Sequence, residues 1–164
     1  MGLAMTLLRL APGAEAPADA GAAVATLFGH ENWRADHDDD HLVDLGARWQ
    51  PLHYMLTGDA WEGERPAADV VCGGVLFTVD DAVREKIGAD VLYLSAERVA
   101  AAAGLLAGTG GDSLIERLDA EAMKKAGVEG DAGGTDAVRA DHERLVAFFG
   151  SAAAAGEIVY KIMG

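Results

Sequence analysis

The chain has 164 residues and a formal net charge of −14 at pH 7. Because this charge repels phosphate backbones and anionic lipid headgroups, it argues against binding to nucleic acid or to a membrane surface. The length suits one domain, residues 1–164, that buries a core of its own. Cys72 is the single cysteine, which excludes an internal disulfide and fits a reducing cytoplasm. The apolar start of the chain is interrupted by Arg9 and is too short for a secretory or membrane segment.

The first half of the chain predicts one strand and two helices. Residues 3–10 are apolar and favour an opening strand, and the Ala-rich residues 14–29 favour a weak helix. In residues 44–58 the large apolar side chains recur at helical spacing, which predicts a helix with one buried face; they are Leu45, Trp49, Leu52 and Leu56. Pro51 predicts a kink or a fresh start in this helix, and Gly58 ends it.

The second half adds strands and helices in turn, after a polar loop over residues 59–69. Strands are predicted at residues 70–77, 90–94 and 157–163, and helices follow Ser95 and span residues 113–126 and 136–155. The pair Gly73-Gly74 predicts a bulge or a close backbone approach in the first of these strands. Strands near both ends with helices between them favour a single α+β domain, with a small mixed or antiparallel sheet.

Two passages resemble a known family. The segment Trp49-x-x-Leu52-His53-x-x-Leu56-Thr57-Gly58 and the passage Tyr93-Leu-Ser-Ala-Glu-Arg-Val99 are similar to the YfbM-like family of bacterial proteins. The resemblance also takes in Gly73-Gly74 and the closing helix and strand. It implies a compact α+β domain of unknown function, with no agreed activity. The sequence predicts no cofactor.

The main candidate binding residues are Trp49, His53, Tyr54 and Thr57. Spacings of four and eight place Trp49, His53 and Thr57 along one helical stripe, where an imidazole could bind a ligand or transfer a proton. The structural alternative is a Trp in the core, a His bonded to a backbone carbonyl and a Thr that caps the helix. The residue pattern favours this alternative while leaving the stripe as the best candidate site.

The acidic passage over residues 36–41 offers a weak candidate metal site. His37 and His41 are four residues apart among several aspartates, and imidazole with carboxylate suits a divalent metal. The clustered aspartates also repel one another, however, and they lack the glutamate of a His-Glu-x-x-His motif. We therefore favour a solvated acidic surface, with no metal.

Two nucleophile motifs are incomplete. Gly111-Asp-Ser113-Leu spells the motif of GDSL hydrolases, but no asparagine follows it, and the downstream His142 lacks the expected preceding aspartate. Ser113 and Glu116 are instead predicted to form a capping box. Cys72 lies in an apolar run, where a thiol is usually a small buried hydrophobe.

These observations predict a cytoplasmic, non-enzymatic binding or protein-interaction domain of otherwise unknown function. The partner could be a protein or a small molecule. One alternative is a small-molecule enzyme around His53, with Tyr54 and Arg48 orienting the substrate. Another is an immunity-type protein that neutralises a basic partner, an idea that rests on charge alone.

Overall fold

A five-stranded antiparallel sheet forms the centre of the computed structural model, which describes residues 3–11 and 20–164 and, for residues 20–23, the main chain alone. The strands are β1 (Met5–Leu10), β2 (Leu42–Gly46), β3 (Val75–Leu76), β4 (Asp90–Leu94) and β5 (Ile158–Met163). Their order across the sheet is β2-β1-β5-β4-β3. The last strand along the chain is therefore the middle strand of the sheet, with Lys161 opposite Leu7 of β1 and Leu92 of β4.

Helices cover both faces of this sheet. They are α1 (Ala20–Phe28), α2 (Trp49–Thr57), α3 (Ala67–Val70), α4 (Asp81–Ile87), α5 (Ala96–Ala107), α6 (Gly111–Glu116), α7 (Ala120–Lys125) and α8 (Thr135–Ala154). The larger apolar cluster joins one sheet face to α2, α3 and α5 to α8. The smaller cluster joins the other face to α1 and α4. The architecture is a single compact α+β domain, which confirms the predicted fold class. Of the two sheet types predicted, mixed or antiparallel, the antiparallel one is observed.

The elements with the clearest sequence patterns are confirmed. β1 and β5 lie where the opening and final strands are predicted, and the two longest helices, α5 and α8, match their predicted positions. Ser95 caps α5 by accepting a hydrogen bond from the Arg98 N–H. Of the predicted helix at 14–29, residues 20–28 form α1, while residues 14–19 lie outside the described residues.

The predicted helical face of residues 44–58 is wrong at its start. Leu45 belongs to β2, where Val43 and Leu45 are buried and Asp44 between them is exposed. This is the two-residue period of a strand, and the four-residue step from Leu45 to Trp49 is a coincidence. The helix α2 starts at Trp49, so Pro51 lies in its first turn, where a missing N–H costs no helical hydrogen bond.

The predicted strand over residues 70–77 is also wrong in most of its length. Val70 ends the short helix α3, and the paired strand is reduced to Val75 and Leu76. Between them the chain turns tightly. The approach is so close at Gly73 that a Cβ there would lie 2.4 Å from Oδ1 of Asp69. The close approach predicted at this glycine is therefore present, although the strand around it is not.

The predicted helix over residues 113–126 is two short helices, and its predicted cap is wrong. Gly110 is the N-cap of α6, so Ser113 lies inside the helix and does not form the capping box with Glu116. Asp119 interrupts the segment because its carboxylate accepts hydrogen bonds from two N–H groups of α7. The helix α4 was not predicted from the sequence; it begins after Asp80, whose carboxylate caps it by accepting from the Val83 N–H.

Among the described residues, no helix has both the length and the apolar character needed to cross a membrane.

Candidate functional site

The four predicted site residues all lie on α2, but they do not share one pocket. Trp49 is 4% exposed and its indole N–H donates a 2.8 Å hydrogen bond to the Leu3 carbonyl. The burial of Trp49 agrees with the prediction from the sequence. Arg48, the predicted orienting residue, precedes the helix and forms a two-pronged ion pair with Asp141 of α8.

His53 is closed in by the loop that follows α2. The side chain is fully buried, and Nε2 lies 2.7 Å from the Glu62 carbonyl. Because a carbonyl only accepts hydrogen bonds, Nε2 carries the proton and Nδ1 holds a lone pair. That buried lone pair has no hydrogen-bond partner in the described part of the chain. Burial lowers the pKa of His53, and the charge of Lys161 lowers it further, while the bond to Glu62 opposes the shift.

Tyr54 and Thr57 face a different surface. Together with Arg117 and Asp119 they line an open groove of about 480 Å³. The Thr57 hydroxyl donates to the His53 carbonyl at 2.9 Å and accepts from the Asp59 N–H at 3.1 Å. It therefore acts as part of the helix end, which matches the structural alternative of a capping threonine.

The acidic segment brings three possible metal ligands together, though not the two predicted histidines. Ligand atoms of Asp38, Asp40 and His41 lie within 4.8 Å of one another. His37 is not part of this group. Both aspartates are largely exposed, and His41 Nδ1 already lies 3.1 Å from the carboxylate of Asp40. The arrangement fits a solvated acidic surface.

A buried polar cluster that sequence reasoning missed lies near His53. The Lys161 ammonium is fully buried and donates to the carbonyls of Asp69 at 2.5 Å and of Gly73 at 2.6 Å. The buried carboxylate of Asp69 binds the Arg98 guanidinium in two places, at 2.6 and 2.8 Å. Burial lowers the pKa of Lys161 to about 7. The cluster ties the loop after α3 to the middle strand of the sheet.

Neither of the two incomplete nucleophile motifs gains support from its surroundings. Burial raises the pKa of the Cys72 thiol to about 12, so it stays protonated and poorly reactive near pH 7. Ser113 is exposed on α6. His142, its one downstream histidine, has Nε2 2.6 Å from the Thr109 carbonyl and is held there as a structural group.

A second indole, also missed as a site residue, covers Trp49 from outside. Trp61 is 52% exposed, and its ring centroid lies 5.2 Å from that of Trp49 at an interplanar angle of 57°. The two rings line a small hollow of about 40 Å³; its other lining residues are Leu3, Ala47, Gln50, Glu129 and Gly130. The sequence signal that could have identified Trp61 is its place in a polar, acidic loop, where no apolar pattern assigns the indole to the core.

Hydrogen bonds fix the two loops around this hollow, which we call the tryptophan hollow. The Asp59 carboxylate accepts from the N–H groups of Trp61 and Glu62, and these bonds lower the pKa of Asp59. The buried Gln50 amide donates to the Ala60 carbonyl and accepts from the Glu129 N–H. One side chain thus joins both rims, so the hollow is formed before any ligand arrives.

We expect His53 to make the protein less stable as the pH falls below about 6.5. Its pKa is lowered in the fold, so the unfolded chain takes up a proton first, and protonation then favours unfolding. Urea unfolding between pH 5.5 and 7.5 measures this. The matched control is His53→Gln, whose amide N–H can still donate to Glu62 without titrating. The variant should show a flatter dependence, whereas parallel curves would show that the pKa of His53 is the same in the folded and the unfolded chain.

Comparison with known proteins places the fold within a family. No curated protein matches the chain. Among solved structures, the crystal structure of a protein of unknown function, YfbM from Escherichia coli, is similar, with a TM-score of 0.67 at 13% identity over 98% of this chain and 99% of that one. The family model described as a domain of unknown function, DUF1877, matches residues 1–160. The chain therefore belongs to the DUF1877 family, whose YfbM-like fold it has and whose function is unknown.

Proposed function

We propose that this protein is a cytoplasmic, non-enzymatic interaction domain that binds a protein partner over Trp61. The observation that carries the proposal is the half-exposed Trp61 indole packed on the buried ring of Trp49. Large aromatic side chains that are held rigidly at a surface contribute much of the binding energy in protein interfaces. The unpaired Cys72 supports a reducing compartment.

The charge of the protein supports a basic partner. The net charge is −14, and the loop that carries Trp61 contains Asp59, Glu62 and Glu64. Complementary charge steers association and raises its rate more than it raises affinity. An apolar anchor within an acidic rim suits a partner that presents a basic patch around an apolar or cationic side chain. The immunity-type hypothesis is one special case of this proposal.

The enzyme hypothesis has weaker support. A general base must reach the proton that it removes, and the His53 side chain is fully buried, with Nε2 already bonded to the Glu62 carbonyl. Tyr54 and Arg48 contact other groups and do not surround the imidazole. A pocket at His53 would require the loop of residues 58–63 to move.

Site-specific photocrosslinking in the source cells tests the proposal. A photoreactive phenylalanine analogue replaces Trp61 in one variant and Leu76 in the control, which is 49% exposed on the edge strand β3. We expect one discrete crosslinked protein at position 61 and not at position 76. With that partner purified, Trp61→Ala should weaken binding by roughly 30-fold or more. Identical crosslinking at both positions, or undiminished binding by Trp61→Ala, would contradict the proposal.

A further inference from the structure

The tryptophan hollow has the composition of a cation site. Of its seven described lining residues, two are tryptophans, and Glu129 has the one ionisable side chain. The face of an indole carries negative charge density and attracts a cation placed over it, more strongly than any other aromatic ring. The Trp49 N–H is already bonded to the Leu3 carbonyl, so this indole offers the hollow its ring and not its polar atom.

A contact between a cation and an indole ring is already present elsewhere in this protein. On the other sheet face, Cζ of Arg34 lies 4.6 Å from the ring centroid of the buried Trp33. The tryptophan hollow has no such internal partner, because neither Lys nor Arg is among its described lining residues. Its acidic residue, Glu129, is exposed and so keeps its charge in contact with solvent.

Size selects among the possible cations. The hollow is small: its volume is about 40 Å³, where about 10–15 Å³ is enough to hold one water molecule. A primary ammonium group is of similar size, whereas a guanidinium or a trimethylammonium group is larger. The two rims lie close together at Gly130, which has a positive φ and where a Cβ would lie 2.6 Å from the Ala47 carbonyl oxygen.

We propose that the tryptophan hollow binds the ammonium group of a lysine side chain presented by the protein partner. This inference rests on the proposed function and names the chemistry of the contact. The ammonium lies against the ring of Trp61, its charge is balanced by Glu129, and the aliphatic part of the lysine covers Leu3. Leu3 is 45% exposed beside the hollow, so it offers apolar area to such a side chain.

A small probe tests this contact apart from the partner. The probe is Nα-acetyl-lysine methylamide, and its matched control is the same compound with the side-chain nitrogen acetylated, which is neutral. Indole N–H signals of the ¹⁵N-labelled protein report binding, each signal being assigned with a single Trp→Phe variant. We expect the lysine compound to shift the Trp61 and Trp49 signals at millimolar concentration and to leave Trp33 unchanged. The acetylated compound should shift none of them.

Two substitutions separate the aromatic from the acidic contribution. Trp61→Leu keeps apolar bulk but removes the ring face, and Glu129→Gln removes the charge; each should weaken probe binding by about two- to fivefold, with Trp49 as the reporter. Glu85→Gln, the same change on α4 across the sheet, should have no effect. Equal binding of the acetylated probe, or no shift by the lysine probe, overturns the lysine contact. If position 61 still crosslinks a partner in that case, the proposed function stands without it.

Discussion

Trp49→Ala is expected to lower the free energy of unfolding by about 3–5 kcal/mol, because it removes a large buried side chain and leaves a cavity. The indole is 4% exposed and belongs to the larger core cluster. The substitution also removes its hydrogen bond to the Leu3 carbonyl. A domain of this size is typically stable by only about 5–15 kcal/mol. The variant should therefore unfold at much lower urea concentration, measured by far-ultraviolet circular dichroism.

Trp61→Ala is the matched control for this prediction, since it removes the same side chain from a half-exposed position. Trp61→Ala should lower the free energy of unfolding by less than half as much as Trp49→Ala, because less buried apolar surface is lost. A Trp49→Ala midpoint equal to that of the wild type would show that Trp49 is not a core residue. In that case both indoles would belong to the binding surface.

The second large effect concerns Lys161, whose burial should make the protein more stable as the pH rises from 7 to 9. The pKa of Lys161 is lowered to about 7 in the fold, whereas in the unfolded chain it is near 10.5. Between these values unfolding takes up a proton, so raising the pH favours the folded state. One proton changes the folding equilibrium constant by up to about tenfold per pH unit.

Lys161→Met isolates this contribution. The variant leaves the Asp69 and Gly73 carbonyls without their donor and is expected to be less stable, so the quantity to compare is the change in urea midpoint with pH. The wild type should gain stability from pH 7 to 9 relative to the variant. Above pH 9 the Cys72 thiol, whose pKa is raised to about 12, acts in the opposite direction. Parallel curves below pH 9 would show that Lys161 keeps its proton in the fold.

Periodicity alone was enough to predict the strands and helices that are long or regularly patterned. α8 has 20 residues, and its residues Val138, Leu145, Phe149 and Ala152 are all buried. The five residues of β2 and the seven of α4 are shorter than the window over which a helical period can be recognised. Leu45 shows the consequence, since its position fits both the two-residue period of a strand and a four-residue helical step to Trp49.

The site was harder to predict because its residues meet only through the sheet order. In β5 the alternation of apolar residues with Lys161 is typical of an edge strand with one wet face, yet β5 is the middle strand and both faces are covered. The contacts of Lys161 with α3 and with the loop after it span 92 and 88 positions of sequence. For His53, the structural alternative of a bond to a backbone carbonyl is what the structure has, while its role in binding stays a prediction.

The place of β5 also sets the order of events when the protein is made. β1 pairs with β2, and β4 pairs with β3, but within the described part of the chain these two halves of the sheet pair only with residues 158–163 between them. Synthesis delivers those residues after all the others in the sheet. In the nascent chain neither β1 nor β4 therefore has its β5 partner until residues 158–163 have been made, so the continuous sheet is completed last.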